Sequence, residues 1–452
     1  MRASRYNFVF RSENAGRALL FNSLTCALVE VQDSLLILLE RTPTDSACLS
    51  EAQQRFVRQM LRCGCLVDDA IDELLILKYR YQRFKYRTRV MQLTIAPTLQ
   101  CNFACPYCFE RPAPAAESSR SSAARMSAQT RAELVDFVAR AAAGLSRLDV
   151  SWFGGEPLLA GDIVRELSAE FIRLADAHAV RYAASLVTNG YLLDEPAERI
   201  DRLKAARIDH VQVTLDGPPE VHDRRRQLKA THGPTFARIL ENVKRMRAAR
   251  LPVTLRINVD ERNQARIGEL LDLLRDEGLS DIPLYPAPIV GETPGCASVH
   301  TDCLSTTAFH RFRTELLPML RARGLSTAAC LPKPDNMVTA CAACVARSFV
   351  VDPDGNLYKC WQEIGDRARR VGHVRTYGRE SDRIAKMREI RWLTWDPFEN
   401  PECRNCRFLP ICLGKMCVYR PLLEGGKPAC CAWKTELDSL ISCLYTPSDL
   451  LK

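Results

Sequence analysis

The sequence predicts an α/β protein: a partial (β/α)6 TIM-type barrel of parallel strands, with a small N-terminal α+β module and a loop-rich C-terminal region stapled by metal. Three observations predict it. Between residues 93 and 286, short apolar strands alternate with amphipathic helices at intervals of about 30 residues. Before residue 88, a two-residue alternation gives way to helical periodicity. After residue 287 the periodicity fades while Pro, Gly and Cys rise.

In chain order, YNFVF, ALLFN and ALVEV read as strands, and the polar stretch TPTDS precedes helical segments that end near residue 88. Strands follow at 93–97, 148–153, 182–188, 210–215, 253–259 and 282–286, with helices at 127–143, 161–178, 195–206, 234–249 and 264–277. Six strands are too few for a closed eight-stranded barrel, so the barrel is read as open. The Ala/Ser/Pro-rich segment 111–127 reads as a mobile surface loop. The domains expected are 1–88, the N-terminal module; 89–290, the barrel; 291–335, a linker; and 336–452, the cysteine-rich region.

Composition narrows the function. Hydrophobic residues are 47% and charged residues 26% of 452, as in globular proteins rather than disordered ones. No apolar run is long enough to span a bilayer and the first residues lack a secretory core, so the chain is read as cytoplasmic, with no membrane partner. Twenty cysteines are many for that compartment, where disulfides are rare and metal binding is the commoner use. None of them falls between Cys108 and Cys296. The formal charge of +9 could suit an acidic or nucleic-acid partner. Cysteines ionised as metal-bound thiolates would lower that count, and no nucleic-acid partner is expected. The basic stretch Lys78–Arg89 reads as a solvated helix end before a strand, with contact to an acidic leader peptide as the alternative.

The key segment is Cys101-Asn-Phe-Ala-Cys105-Pro-Tyr-Cys108, directly after the strand at 93–97. Three thiolates on one tight loop hold three irons of a [4Fe–4S] cluster and leave the fourth without a protein ligand. The amino and carboxylate groups of S-adenosylmethionine can chelate that iron, which sets the sulfonium beside the cluster for one-electron reduction. Structural zinc instead wants four ligands, usually as two close pairs.

This segment, CNFACPYCFE, resembles the signature of the radical SAM superfamily, and the resemblance extends over most of the chain. Gly154-Gly155-Glu156-Pro157 resembles the family's GGEP motif, which holds the amino group of the cofactor; glycines permit close backbone approach, and a carboxylate pairs with an ammonium. By the same resemblance Tyr107 lies near the adenine. Thr188-Asn189-Gly190 and Thr214-Leu215-Asp216-Gly217 match strand-end motifs, with Thr214 at the ribose, and Asn258 and Arg226 are further cofactor contacts.

The later cysteines resemble the SPASM extension of radical SAM enzymes, which holds two auxiliary [4Fe–4S] clusters. The resemblance assigns Cys341, Cys344, Cys360 and Cys417 to one, and Cys403, Cys406, Cys412 and Cys430 to the other. Three departures leave alternatives open. Cys412 and Cys417 are separated by four residues rather than three, Cys430 has a twin in Cys431, and Cys330 competes with Cys341. VVDPDGNLYKC reads as a hairpin on its Asp-Gly turn.

Within that group the resemblance is closest to maturases of ribosomally made peptides, some of which grip a precursor's leader by strand addition to an N-terminal module. It implies reductive cleavage of S-adenosylmethionine to a 5′-deoxyadenosyl radical, hydrogen abstraction from the peptide, and a thioether or carbon–carbon crosslink. The implied partners are a precursor peptide and an electron donor such as ferredoxin or flavodoxin. An alternative is the anaerobic sulfatase maturase, which makes formylglycine and has an acidic residue after the cysteine aligned with Cys360; here that neighbour is Trp361. A non-catalytic zinc or iron–sulfur protein is a third reading.

Overall fold

The computed structural model describes residues 1–11, 16–40, 49–110, 124–193, 196–291, 294–330, 341–379, 382–414, 417–419, 422 and 430–444. Most of the segment 111–127, read as a mobile loop, and the polar stretch after residue 41 lie outside them. The chain divides into two compact units, each discontinuous in sequence: 1–86 with 332–341 and 395–452, and 87–331 with 342–394. Among the described residues no helix is long and apolar enough to cross a membrane.

In the first unit, β1 (Arg2–Ala3) is followed by β2 (Asn7–Arg11), β3 (Arg17–Asn22) and β4 (Leu28–Gln32), then α1 (Ile37–Glu40) and α2 (Glu51–Arg62). β5 (Leu66–Val67) and α3 (Glu73–Lys85) complete the N-terminal part. β2, β3 and β4 form an antiparallel sheet in that order, so β2 and β4 are its edges. Its alternation seats Leu20 and Val31 on Phe56 and Met60 of α2. Ser50 starts α2 with a reciprocal capping box to Gln53. Phe8 and Phe21 pack with Ile411, Leu437 and Ile441 from the C-terminal segment. The end of α3 is not wholly solvated: Lys85 is buried, donates to the Trp395 carbonyl, and lies 5.1 Å from the Tyr81 ring.

The second unit is the partial barrel. β6 (Val90–Ile95), β7 (Arg147–Trp152), β8 (Arg181–Thr188), β9 (Ile208–Thr214), β10 (Val253–Val259) and β11 (Leu284–Pro288) are parallel and adjacent in chain order. Between them run α4 (Ala128–Ala142), α5 (Gly161–Ala177), α6 (Pro196–Ala205), α7 (Pro219–Arg225), α8 (Phe236–Ala248) and α9 (Ile267–Asp276). The strands alternate buried with half-buried residues, as in the Met91, Leu93, Ile95 and Gln92, Thr94 series of β6. Buried residues meet the helices; Trp152 stacks on Phe171 of α5 at 6.5 Å. The other face is polar and paired across strands: Ser185 to Ser151 at 3.2 Å, His210 to Thr254 at 2.9 Å and Tyr285 to Gln212 at 2.6 Å.

Two strands, β6 and β11, are shifted by two residues or more at both ends from the sequence-based boundaries. β6 begins at Val90, because Val90 already pairs with Arg147, and β11 runs to Pro288, paired with Val259. The segment 291–335 contains a 17-residue helix, α10 (Thr306–Ala322), capped by Ser305. β12 (Ser348–Val351) and β13 (Asn356–Tyr358) form the hairpin, and β14 (Gly372–His373) pairs with β13. β12 also joins β6 in parallel, extending the barrel sheet on that side.

Candidate functional site

The site is built at the carboxyl ends of the parallel strands, where the strand-to-helix loops gather. The loop after β6 carries Cys101, Cys105 and Cys108, all half-buried. The chain pins it from both sides. Gln100 N–H donates to Thr98 Oγ1 at 3.0 Å, Ala104 N–H to the Gln227 carbonyl at 3.0 Å, and Lys229 N–H to the Asn102 carbonyl at 2.7 Å. The Phe103 N–H donates to Cys101 Sγ at 3.4 Å. Burial pushes the Cys101 thiol up to about 12; nearby Glu156 and Cys105 add to the rise, and the Phe103 N–H and Arg226 oppose it. Cys105 and Cys108 are also raised, by burial first. A metal centre reverses that preference, since it binds thiolates.

The loop after β7 closes against the cysteine loop. At Gly154, φ is +107°, and a Cβ there would strike the Thr98 carbonyl; at Gly155 it would strike the Gln100 carbonyl. Only glycine lets the two backbones pass. Glu156 N–H then donates to the Gln100 carbonyl at 2.9 Å. The Glu156 side chain is fully buried and accepts from Leu158 N–H at 3.0 Å, Thr188 Oγ1 at 2.8 Å and Asn189 N–H at 2.7 Å. Pro157 opens the following 3-10 turn. Asn189 Nδ2 donates to Asn102 Oδ1 at 2.7 Å and lies 4.0 Å from Cys101 Sγ.

A second network meets at Tyr107. Its hydroxyl bonds Asp216, Arg226 Nη1 at 2.9 Å and Asn258 Nδ2 at 3.4 Å, and the Arg225 guanidinium lies 5.2 Å from its ring. Asn258 N–H donates to Asp216 Oδ1 at 3.1 Å, and Asp216 N–H to His222 Nδ1 at 3.2 Å. Arg225 also pairs with Asp260 at 2.8 Å. Thr214 ends β9, opposite Arg256 of β10. Asp216, Arg225 and His222 were not singled out as site residues from the sequence. The signal was present in the acid of the TLDG strand end and the arginine run Arg224–Arg226.

The residues fit a negatively charged cluster. Three thiols share one loop, and around them Asn102 Nδ2, Arg225 Nη2 and Arg226 Nε are buried without a hydrogen-bond partner. Donors left unmatched in so buried a place are complementary to an anion.

Of the later cysteines, Cys403 lies within electrostatic reach of Cys406, Cys412 and Cys430, all in the first unit. Burial lifts the Cys403 thiol to about 11, and Cys412, Cys406 and Cys430 add to the rise. Lys434 Nζ lies 3.5 Å from Cys430 Sγ. Cys431 is buried and its thiol bonds Cys412. Cys344 and Cys360 belong to the barrel unit, with Cys330, whereas Cys341 and Cys417 belong to the other.

This fold and this loop define a class. Residues 95–274 match the radical SAM superfamily. Over those residues the chain carries a radical SAM domain. It is similar to the PqqA peptide cyclase of Gluconobacter oxydans (strain 621H), 30% identical over 195 residues, 43% of this chain and 48% of that protein. The PqqA peptide cyclase of Ruegeria pomeroyi is 28% identical over 346 residues, 74% of this chain and 83% of that protein. The chain thus spans about half the length of the first relative and over four-fifths of the second. In fold it is similar to native anSMEcpe with bound AdoMet and Kp18Cys peptide, at a TM-score of 0.58 and 18% identity, covering 78% of this chain and 96% of that one.

Proposed function

We propose that the protein is a radical SAM enzyme that cleaves S-adenosylmethionine reductively and crosslinks a ribosomally made peptide. The observation that carries this reading is the apposition of the three-thiol loop and the Gly154–Pro157 loop, joined by the Glu156–Gln100 hydrogen bond. When bound, the cluster and S-adenosylmethionine supply the 5′-deoxyadenosyl radical that takes hydrogen from an unactivated carbon. The chain's own residues bind and orient. Cys101, Cys105 and Cys108 hold the cluster. Gly154, Gly155 and Glu156 shape the site for the cofactor's amino group, and Thr188 and Asn189 hold Glu156 in place. Tyr107, fixed by Asp216, Asn258 and Arg226, sets an aromatic face for the adenine, with Thr214 at the ribose.

A peptide substrate is supported by relatives that are themselves named peptide cyclases. The polar face of the parallel sheet suits a chain rich in amides. The sheet edges β2 and β4 suit leader capture by strand addition. We assign Cys403, Cys406, Cys412 and Cys430 to an auxiliary cluster. The test is anaerobic reconstitution. A brown protein with about eight irons or more that forms 5′-deoxyadenosine under dithionite supports the reading, provided the Cys101/Cys105/Cys108→Ala variant does not. A colourless zinc protein refutes it.

Formylglycine formation remains the second reading because of Glu363. This carboxyl, three residues after Cys360, is buried, and burial raises it to about 7, where it can act as a base. Mass spectrometry of a cysteine-bearing sulfatase peptide after turnover separates the two: a loss of sulfur selects formylglycine.

A further inference from the structure

A cavity of about 250 Å³ opens between the turn that starts at Pro157, the start of α5, and α6 with the residue that follows it. Its floor is apolar, from Leu158, Val164, Leu203 and Ala206. Leu159 lines it as well and is 38% exposed. Those arginines are Arg165, Arg199 and Arg202. Asp162 also lines the cavity, but Arg125 holds its carboxylate with both oxygens, at 2.5 and 2.6 Å. Among the described residues neither Arg165 nor Arg199 is in an ion pair. Arg199 Nη1 would sit 3.6 Å from a Cβ on Gly161, so its charge lies against the positive end of the 17-residue α5.

An apolar floor inside a basic rim is the anatomy of a protein-docking surface, with charge to steer an acidic partner and exposed leucine to desolvate. The cavity's position says which partner. Leu158 and Leu159 belong to the same short segment as Glu156, whose N–H bonds the Gln100 carbonyl at 2.9 Å, and Gln100 precedes Cys101. A second route runs from the Glu156 carboxylate to Asn189 N–H, at 2.7 Å, and from Asn189 Nδ2 to Cys101 Sγ, at 4.0 Å. A partner seated here touches the wall that the three-thiol loop leans on.

We propose that this arginine-rimmed cavity is the docking site of a small, acidic one-electron carrier protein that reduces the cluster held by Cys101, Cys105 and Cys108. The inference rests on the radical SAM reading. In the step, one electron leaves the carrier and enters the cluster; the carrier is oxidised by one electron, no bond forms or breaks at the interface, and no proton moves. Docking is by charge and by burial of Leu159, so it weakens as salt rises.

The experiment uses the reconstituted holoenzyme, with flavodoxin as the probe. Binding to flavodoxin is measured by calorimetry at two ionic strengths. 5′-Deoxyadenosine formation is measured with flavodoxin and its NADPH-dependent reductase, and separately with dithionite. Arg199→Glu/Arg202→Glu should weaken flavodoxin binding by about tenfold or more and remove most of its salt dependence. Flavodoxin-driven cleavage should fall in parallel, while dithionite-driven cleavage stays as in the parent. Binding within about twofold of the parent, or a parent that binds no flavodoxin, overturns the proposal. Should the double variant misfold, the exposed single change Arg165→Glu carries the same test. A parent that makes no 5′-deoxyadenosine with either donor sinks the reaction instead, and the binding titration still decides the surface.

Discussion

The Glu156 carboxylate accepts the Asn189 backbone N–H at 2.7 Å, which locks the end of β8 to the loop after β7. Thr188 Oγ1 and Leu158 N–H occupy the same carboxylate, so it braces two strand ends while standing in the cofactor motif. Glu156→Ala strands three buried donors, at about 1–3 kcal/mol each before relaxation. The expected outcome is a large fall in melting temperature together with loss of 5′-deoxyadenosine formation. A variant that loses activity with its melting temperature intact would show that Glu156 serves the cofactor alone.

Gly155→Ala tests the close approach of the two loops. The added methyl would meet the Gln100 carbonyl, and backbone on both sides has little room to yield. The expected result is failure of the N-terminal cluster to assemble, read as a loss of about four irons relative to the parent. Full iron content would mean that the loops can part.

Two buried groups give opposite pH dependences. Burial, with Arg226 adding to it, pushes His222 down to about 3 from 6.5. Its stabilisation is therefore complete above pH 6.5 and is lost as pH falls toward 3, by up to about 1.4 kcal/mol per pH unit. Burial raises Glu363 to about 7 from 4.5, so its stabilisation is present below pH 4.5 and lost as pH rises through 7. Between pH 4.5 and 6.5 the two oppose each other. Relative to the parent, His222→Gln should gain stability as pH is lowered from 7 to 5, and Glu363→Gln should lose it. Melting curves across that range check both signs.

How far the sequence reaches depends on how local the signal is. The helices α4, α5 and α8 lie within two residues of their expected bounds, because apolar positions three and four apart and a cap such as Ser127 mark them within the chain itself. The three-thiol loop and Gly154–Pro157 were legible for the same reason. The pairing of β12 with β6 was not. Ser348–Val351 is buried on both faces and carries no alternation to name a partner, and β6 lies some 250 residues earlier. The Tyr107 network was half legible: Arg226 and Asn258 were singled out, but Asp216 gains its meaning only when three strand ends converge on one hydroxyl.

That hydroxyl gives a test of coupling. Tyr107→Phe keeps the ring, and with it the packing against Ile289, Cys296 and Val299. It removes the one group that stands between the Arg226 donor and the Asp216 acceptor. Both are buried, so each loses a partner, and a cost of about 1–3 kcal/mol is expected. Asp216→Asn alone weakens the attraction that holds Arg225 and Arg226 at the site, since Arg225 Nε lies 3.6 Å from Asp216 Oδ2. Because both changes act on one network, the double variant should cost less than the two single losses added, with an interaction energy of about 0.5–3 kcal/mol. The checks are anaerobic melting temperatures of the four proteins and their affinity for S-adenosylmethionine. Strict additivity would mean that Tyr107 and Asp216 act independently, and that the aromatic face is positioned by its backbone alone.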